Sequence, residues 1–142
     1  MKKIVIDTNI LVSAAIGNGA STKILYDIIF DPDIEVCICE NVLAEYNRVS
    51  EYNRIQKKYP LYRIKLKEMI ESLQIIGVKY FPSQTFALIK DISDNKFLDL
   101  AYESKANYLI TGNHKDFTIS QFEETKILSP QQFCELYRQN DL

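Results

Sequence analysis

Residues 2–9 read Lys2-Lys3-Ile4-Val5-Ile6-Asp7-Thr8-Asn9. A short, continuous apolar run such as Lys3–Ile6 suits a strand buried on both faces, the mark of a parallel sheet. The aspartate after it stands at the carboxyl end of that strand, where open parallel sheets bind ligands. Asp7 can equally be read as a turn or helix-starting residue. Yet Thr8 and Asn9 follow it, and then a second apolar run, Ile10–Val12. Three polar side chains between two apolar runs cost free energy unless they are paired or liganded. Asp7 is therefore the first candidate site residue.

Outward from this stretch, strand and helix signals alternate. A Gly17–Ser21 loop precedes an expected helix to Phe30, with Ile24, Leu25, Ile28 and Ile29 as its apolar stripe. Asp31-Pro32-Asp33 reads as a turn and Glu35–Cys39 as a strand. Asn41 can cap a long helix towards Lys58, and Pro60 can start another to Ile76, ended by Gly77. Val78–Phe81 reads as a short strand. A helix opening at Ser93 or Asp94 and running to Ser104 precedes a strand at Tyr108–Thr111. Ile127–Leu128 forms a last strand, and Pro130 begins the final helix. This order predicts βαβ units, an α/β fold and a mainly parallel sheet of about five strands in one domain, residues 1–142.

Composition agrees with an ordinary globular chain: 142 residues, 46% hydrophobic and 25% charged. No apolar run approaches the ~20 residues of a membrane span, and Asp7 interrupts the N-terminal apolar run too early for a signal peptide. A cytoplasmic location is expected. Cys37, Cys39 and Cys134 form no disulfide framework, and with His114 as the only histidine they make no zinc site. The net charge of −2 does not announce a nucleic-acid binder. From Arg48 to Lys67, however, seven cations stand against Glu51 alone, including Arg48, Arg54, Lys57 and Lys58. Such a run is either a solvated helical face or a surface for phosphate.

Further carboxylates repeat the placement of Asp7. Val42, Glu45, Tyr46 and Val49 fall at i, i+3, i+4, i+7, so Glu45 lies on an inward stripe, or snorkels from its edge. Asp94, Phe97, Leu98 and Ala101 have the same spacing, although Asp94 can also be a plain N-cap. Asp91 lies upstream of it, and Asp99 one turn on but off the stripe; either can be a supporting partner or a solvated charge. After Thr111, which ends the fourth expected strand, Asn113 and Asp116 emerge at the same sheet edge as Asp7, where Asp116 can also be an ordinary loop residue. His114, beside Lys115 in a polar loop, reads as exposed. Several carboxylates at one edge repel one another, and hard oxygen ligands of this kind suit Mg²⁺ or Mn²⁺.

With these residues in view, the chain resembles the PIN-domain family of ribonucleases, particularly the VapC-like toxins of bacterial toxin–antitoxin pairs. The run Ile4-Val5-Ile6-Asp7-Thr8-Asn9 resembles the first motif, and Glu45 matches the second acidic position. The stretch from Asp91 through Asp94 to Ala101 resembles the third motif, and Thr111 to Phe117 the variable fourth. The fourth leaves open whether Asn113 or Asp116 completes the site. The resemblance implies a three-layer α/β/α sandwich and metal-dependent endonucleolytic cleavage of RNA. It also implies a homodimer and inhibition by a cognate antitoxin. Asp7, Glu45, Asp94 and Asp116 would then hold one or two Mg²⁺ or Mn²⁺ ions. Thr8, Asn9, Asp91, Asp99, Thr111 and Asn113 would orient ligands or phosphate, and Arg48, Arg54, Lys57 and Lys58 would steer RNA. Two other readings stand beside this one: a PIN-like module that binds RNA or protein without cutting, and a haloacid-dehalogenase-type phosphatase. The latter chemistry usually wants an aspartate two residues after the first, where this chain has Asn9.

Overall fold

The computed structural model describes residues 1–17, 19–87, 95–112 and 119–142. Among the described residues the sheet has six strands: β1 (Lys2–Ile6), β2 (Ile34–Ile38), β3 (Val78–Lys79), β4 (Tyr108–Ile110), β5 (Gln121–Phe122) and β6 (Thr125–Leu128). Their order is β3-β2-β1-β4-β6-β5, parallel throughout except for the β5–β6 pair. The count thus exceeds the expected five by β5, whose two residues are too few to carry a periodic signal. Ile4, Val5 and Ile6 are each fully buried, as the continuous apolar run requires. Each such side chain contributes about 1.5–3 kcal/mol of apolar burial.

Seven α-helices flank the sheet among the described residues: α1 (Thr8–Ala15), α2 (Gly19–Tyr26), α3 (Glu40–Ser50), α4 (Asn53–Lys58), α5 (Tyr62–Ile76), α6 (Asn95–Ser104) and α7 (Pro130–Arg138). Helix α6 lies against β1, β2 and β4, while α1 packs on α2 and α5, and α2 on α7. The α/β architecture and mainly parallel sheet expected from the sequence are present.

Several boundaries differ from the sequence expectation, each for a local reason. The helix expected from Asn41 to Lys58 is two helices, broken at Glu51 and Tyr52. The carbonyls at the end of α3 find partners on α5: the Tyr62 hydroxyl donates to Val49 O at 2.8 Å, and the Arg63 guanidinium to Ser50 O and Glu51 O at 3.4 Å. A helix end satisfied in this way can stop without glycine or proline. Cys39, not Asn41, takes the N-cap position of α3. Helix α2 stops at Tyr26, and Ile28–Phe30 form a separate 3₁₀ turn; Ile24, Leu25, Ile28 and Ile29 are all buried as expected. The final helix starts as predicted, with Ser129 and Gln132 forming a capping box before Pro130.

Chain order relative to strand order locates the ligand-binding edge. The chain builds outward from β1 to β2 and β3, then returns to the other side of β1 to form β4. The topological switch therefore falls between β1 and β4, where open α/β sheets bind ligands beyond the strand ends. The register Ile6↔Ile110 ends the two strands side by side, so Asp7 and Thr111 emerge together.

Candidate active site

Asp7 occupies the N-cap position of α1 but its carboxylate makes no capping bond to the helix. The Thr111 hydroxyl donates to Asp7 Oδ2 at 2.6 Å, and the Asp7 backbone N–H donates to Ile110 O at 2.9 Å. The carboxylate is thus held towards β4 at the switch point, with Asp7 only 3% exposed. The turn-residue reading of Asp7 accounts for its backbone but not for this side-chain placement.

Glu45 arrives from α3. Val42, Glu45, Tyr46 and Val49 are all buried, so the inward stripe read from the sequence is real and Glu45 does not snorkel. Two features lock it beside Asp7. The Thr8 hydroxyl, adjacent in sequence to Asp7, donates to Glu45 Oε2 at 2.6 Å. The hydroxyl of fully buried Tyr46 donates to the carbonyl of Ile6, hooking α3 onto the last residue of β1. Burial, and then the negative charge of Asp7, push the Tyr46 phenol well above its ordinary range, so it stays a donor.

The other carboxylate oxygen of Glu45 faces cations. Lys96 Nζ lies 2.8 Å from Oε1, and Arg48 Nη2 lies 3.3 Å from the same atom. The Tyr46 and Phe97 rings pack with centroids 6.5 Å apart, and this contact brings their sequence neighbours Glu45 and Lys96 together. Asn95, the first residue of α6, is also buried. Asn9 Oδ1 accepts a bond from the Gly112 N–H at 3.2 Å, joining the start of α1 to the chain beyond β4.

Asp7, Thr8, Asn9, Glu45 and Thr111 therefore converge at one edge. Asp99 instead accepts the backbone N–H of Phe86 at 2.8 Å, and its partial burial raises its pKa. With Glu103, which accepts from the Ser83 backbone and hydroxyl, it ties the segment after β3 to α6. Asp91, Asp94, Asn113, His114 and Asp116 lie outside the described residues. Among the described residues no group of three or more metal-ligating side chains occurs.

The PIN domain family matches residues 3–115 of the chain. The chain belongs to the PIN domain family. Over 127 residues this PIN domain protein is 36% identical to the uncharacterized protein MJ1680 of Methanocaldococcus jannaschii, covering 89% of the chain and 79% of that relative. Its fold is similar to that of a chain of VapBC2 from Rickettsia felis, solved bound to a DNA fragment from their promoter. The TM-score there is 0.56 at 15% identity, over 89% of this chain and 98% of that one.

Around the candidate site, the basic run divides in two. Arg48 bonds Glu45 and the Tyr52 hydroxyl, while Arg63 and Lys67 pair with Glu51. Arg54, Lys57 and Lys58 are exposed on α4, where Lys58 stands 5.7 Å from the Tyr59 ring. Tyr46 is buried and unavailable for stacking on a base, whereas Tyr52 is partly exposed. The sequence reading missed Lys96 and the Tyr46 hydroxyl.

Proposed function

We propose that this PIN domain protein is an Mg²⁺- or Mn²⁺-dependent endoribonuclease, the toxin of a toxin–antitoxin pair, acting in the cytoplasm as a homodimer of single-domain chains. One observation carries the reading: two carboxylates, Asp7 and Glu45, are brought together at the β1–β4 switch point and fixed there by Thr111 and Thr8. Both are hard oxygen donors in a mostly buried setting, which fits Mg²⁺ or Mn²⁺. Asp94 and Asp116 would complete the ligand set. A divalent ion bound there would lower the pKa of a water and neutralise charge building on the phosphate.

The protein's own groups prepare that site. Thr111 and Thr8 occupy one oxygen of each carboxylate and so fix the direction of the other. Lys96 and Arg48 set positive charge against the buried Glu45 carboxylate. The same two cations lie at the mouth, where an incoming phosphate needs positive partners. Arg54, Lys57 and Lys58 extend positive charge along α4 and would draw the RNA backbone to a net-acidic protein. The antitoxin would bind over the same acidic edge.

Incubating a pool of labelled single-stranded RNAs with the protein and Mg²⁺ or Mn²⁺ tests this reading. Cleavage that disappears with EDTA and in Asp7→Asn supports it. Folded protein that cuts no RNA over a broad pool would return the site to a binding role.

A further inference from the structure

Directly beside the carboxylate edge, a cleft of about 330 Å³ opens between α1, the first turn of α2 and the start of α7. Its polar wall consists of Asn9, Ser13, Ser21 and Gln131, and Ile10 and Pro130 contribute an apolar one. Asn9 and Ser13 are four residues apart on α1, so they share a helix face and point the same way. Asn9 Oδ1 is engaged by the Gly112 N–H, which leaves the amide Nδ2 as a donor towards the cleft. Among the described residues, the side chains of Ser13, Ser21 and Gln131 make no hydrogen bond, although Ser21 is buried. Four polar side chains with spare bonding capacity thus surround one recess, Ser21 at its buried end and Gln131 at its exposed rim.

The chemistry of the wall selects the ligand. Among the described residues no lysine, arginine or histidine lines the cleft, and the end of α7 facing it is occupied by its own Ser129–Gln132 capping box. The described wall offers a phosphate no counter-charge, and it offers a cation no carboxylate. Two hydroxyls and two amides offer donors and acceptors to a neutral, flat, polar-edged group resting on Ile10 and Pro130. The volume lies at the small end of ligand pockets, enough for one such unit and not for a run of them. Asn9 stands two residues after Asp7, so a group in the cleft would be attached to a phosphate at the carboxylate edge.

The geometry points to a nucleoside subsite: one unstacked base of single-stranded RNA, with its ribose, bound in the Asn9–Ser13–Ser21–Gln131 cleft and recognised by hydrogen bonds on its edge. This assignment rests on the ribonuclease reading for its substrate. The described wall carries amides and hydroxyls and no aromatic ring, so it recognises a base by edge bonding, which discriminates between bases.

Two measurements test it, and the first does not depend on cleavage. Amide chemical shifts of the full chain are followed as each of the four ribonucleoside 5′-monophosphates is added, with inorganic phosphate as the control. One or two of the nucleotides are expected to move the Ser13, Ser21 and Gln131 signals, saturably, while phosphate alone does not. Ser13→Leu, which fills the cleft, should abolish the response with its thermal melt unchanged; Gln131→Ala, at an exposed position, should weaken it. No response to any nucleotide, or an equal response to phosphate, overturns the subsite. The second measurement compares kcat/KM on oligonucleotides that vary the base on either side of the cut. Ser13→Ala and Gln131→Ala should each lower it roughly threefold to tenfold for the preferred base and far less for the others. An equal loss on all bases overturns the specificity role. A wild type that cuts no RNA but still shows the nucleotide response would sink the ribonuclease reading and leave the subsite standing.

Discussion

Lys96 Nζ lies 2.8 Å from Glu45 Oε1, joining two side chains 51 residues apart in sequence. Glu45 is 6% exposed and Lys96 is 23% exposed, so the pair is shielded from water and its removal is felt. Lys96→Met should lower stability by about 1–2 kcal/mol, a loss limited because Arg48 and Thr8 still contact the carboxylate. Urea denaturation without divalent ions measures this directly. Added Mg²⁺ or Mn²⁺ should recover part of the loss if Glu45 is a metal ligand, because the ion supplies the missing positive charge. Arg48→Ala should change the midpoint little, since Arg48 is 56% exposed. Equal effects from the two variants would show that Lys96 is merely another surface cation.

The Thr111 hydroxyl, buried at the strand end, bonds the Asp7 carboxylate. Thr111→Val keeps the shape and removes the donor. A bond to a charged acceptor in such a place is worth about 1.5–3 kcal/mol, and the denaturation midpoint should fall accordingly. RNA cleavage should fall further than the unfolded fraction explains, because Asp7 then loses one of the bonds that direct its carboxylate. Full activity in a stable Thr111→Val protein would show that this bond does not position the carboxylate.

The site was legible in the sequence wherever a single local pattern carried it. Asp7 followed from a fully apolar strand ending in a charge, and Glu45 from a carboxylate placed on an inward helical stripe. Lys96 was not legible: its meaning depends on α3 and α6 packing through Tyr46 and Phe97, which no local pattern encodes. The break after α3 escaped notice for the same reason, because Tyr62 and Arg63 satisfy its last carbonyls from another helix. Strand β5 escaped because two residues carry no period.

Alkaline pH should destabilise the fold. Burial pushes the Cys37 thiol from an ordinary 9.0 up to about 12, and the Tyr62 phenol from 10.0 to about 12. Tyr46 is shifted upward in the same sense. Each group is protonated in the folded protein at a pH where the unfolded chain has already lost the proton. The unfolded state then binds fewer protons, so stability falls as pH rises. The fall should begin as pH passes 9.0, the ordinary thiol value, and steepen beyond 10.0, where unfolded tyrosines ionise. Denaturation midpoints across this window check the sign, and Cys37→Ala should lessen the earliest part of the decline, which Cys39 and Cys134, also raised by burial, share. A flat curve would mean that these groups are reached by water in the folded state.

The exposed cations of α4 give a prediction about salt. Arg54 and Lys57 are three residues apart on one face of a short helix, and neither bonds another described side chain. Their desolvation on binding is therefore cheap, and their contribution to a phosphate chain comes through release of counterions. Replacing both with alanine should leave the melting temperature nearly unchanged, since no fold contact is lost. Binding of single-stranded RNA to a cleavage-deficient Asp7→Asn protein should weaken for all sequences alike. The slope of log K against log salt should become shallower by about 0.7 for each phosphate contact removed. Lys67→Ala serves as the comparison, because Lys67 is paired with Glu51 at 2.6 Å and has less charge to offer. If Lys67→Ala changes the slope as much as the α4 pair, the RNA track runs over α5 and the role assigned to α4 is wrong.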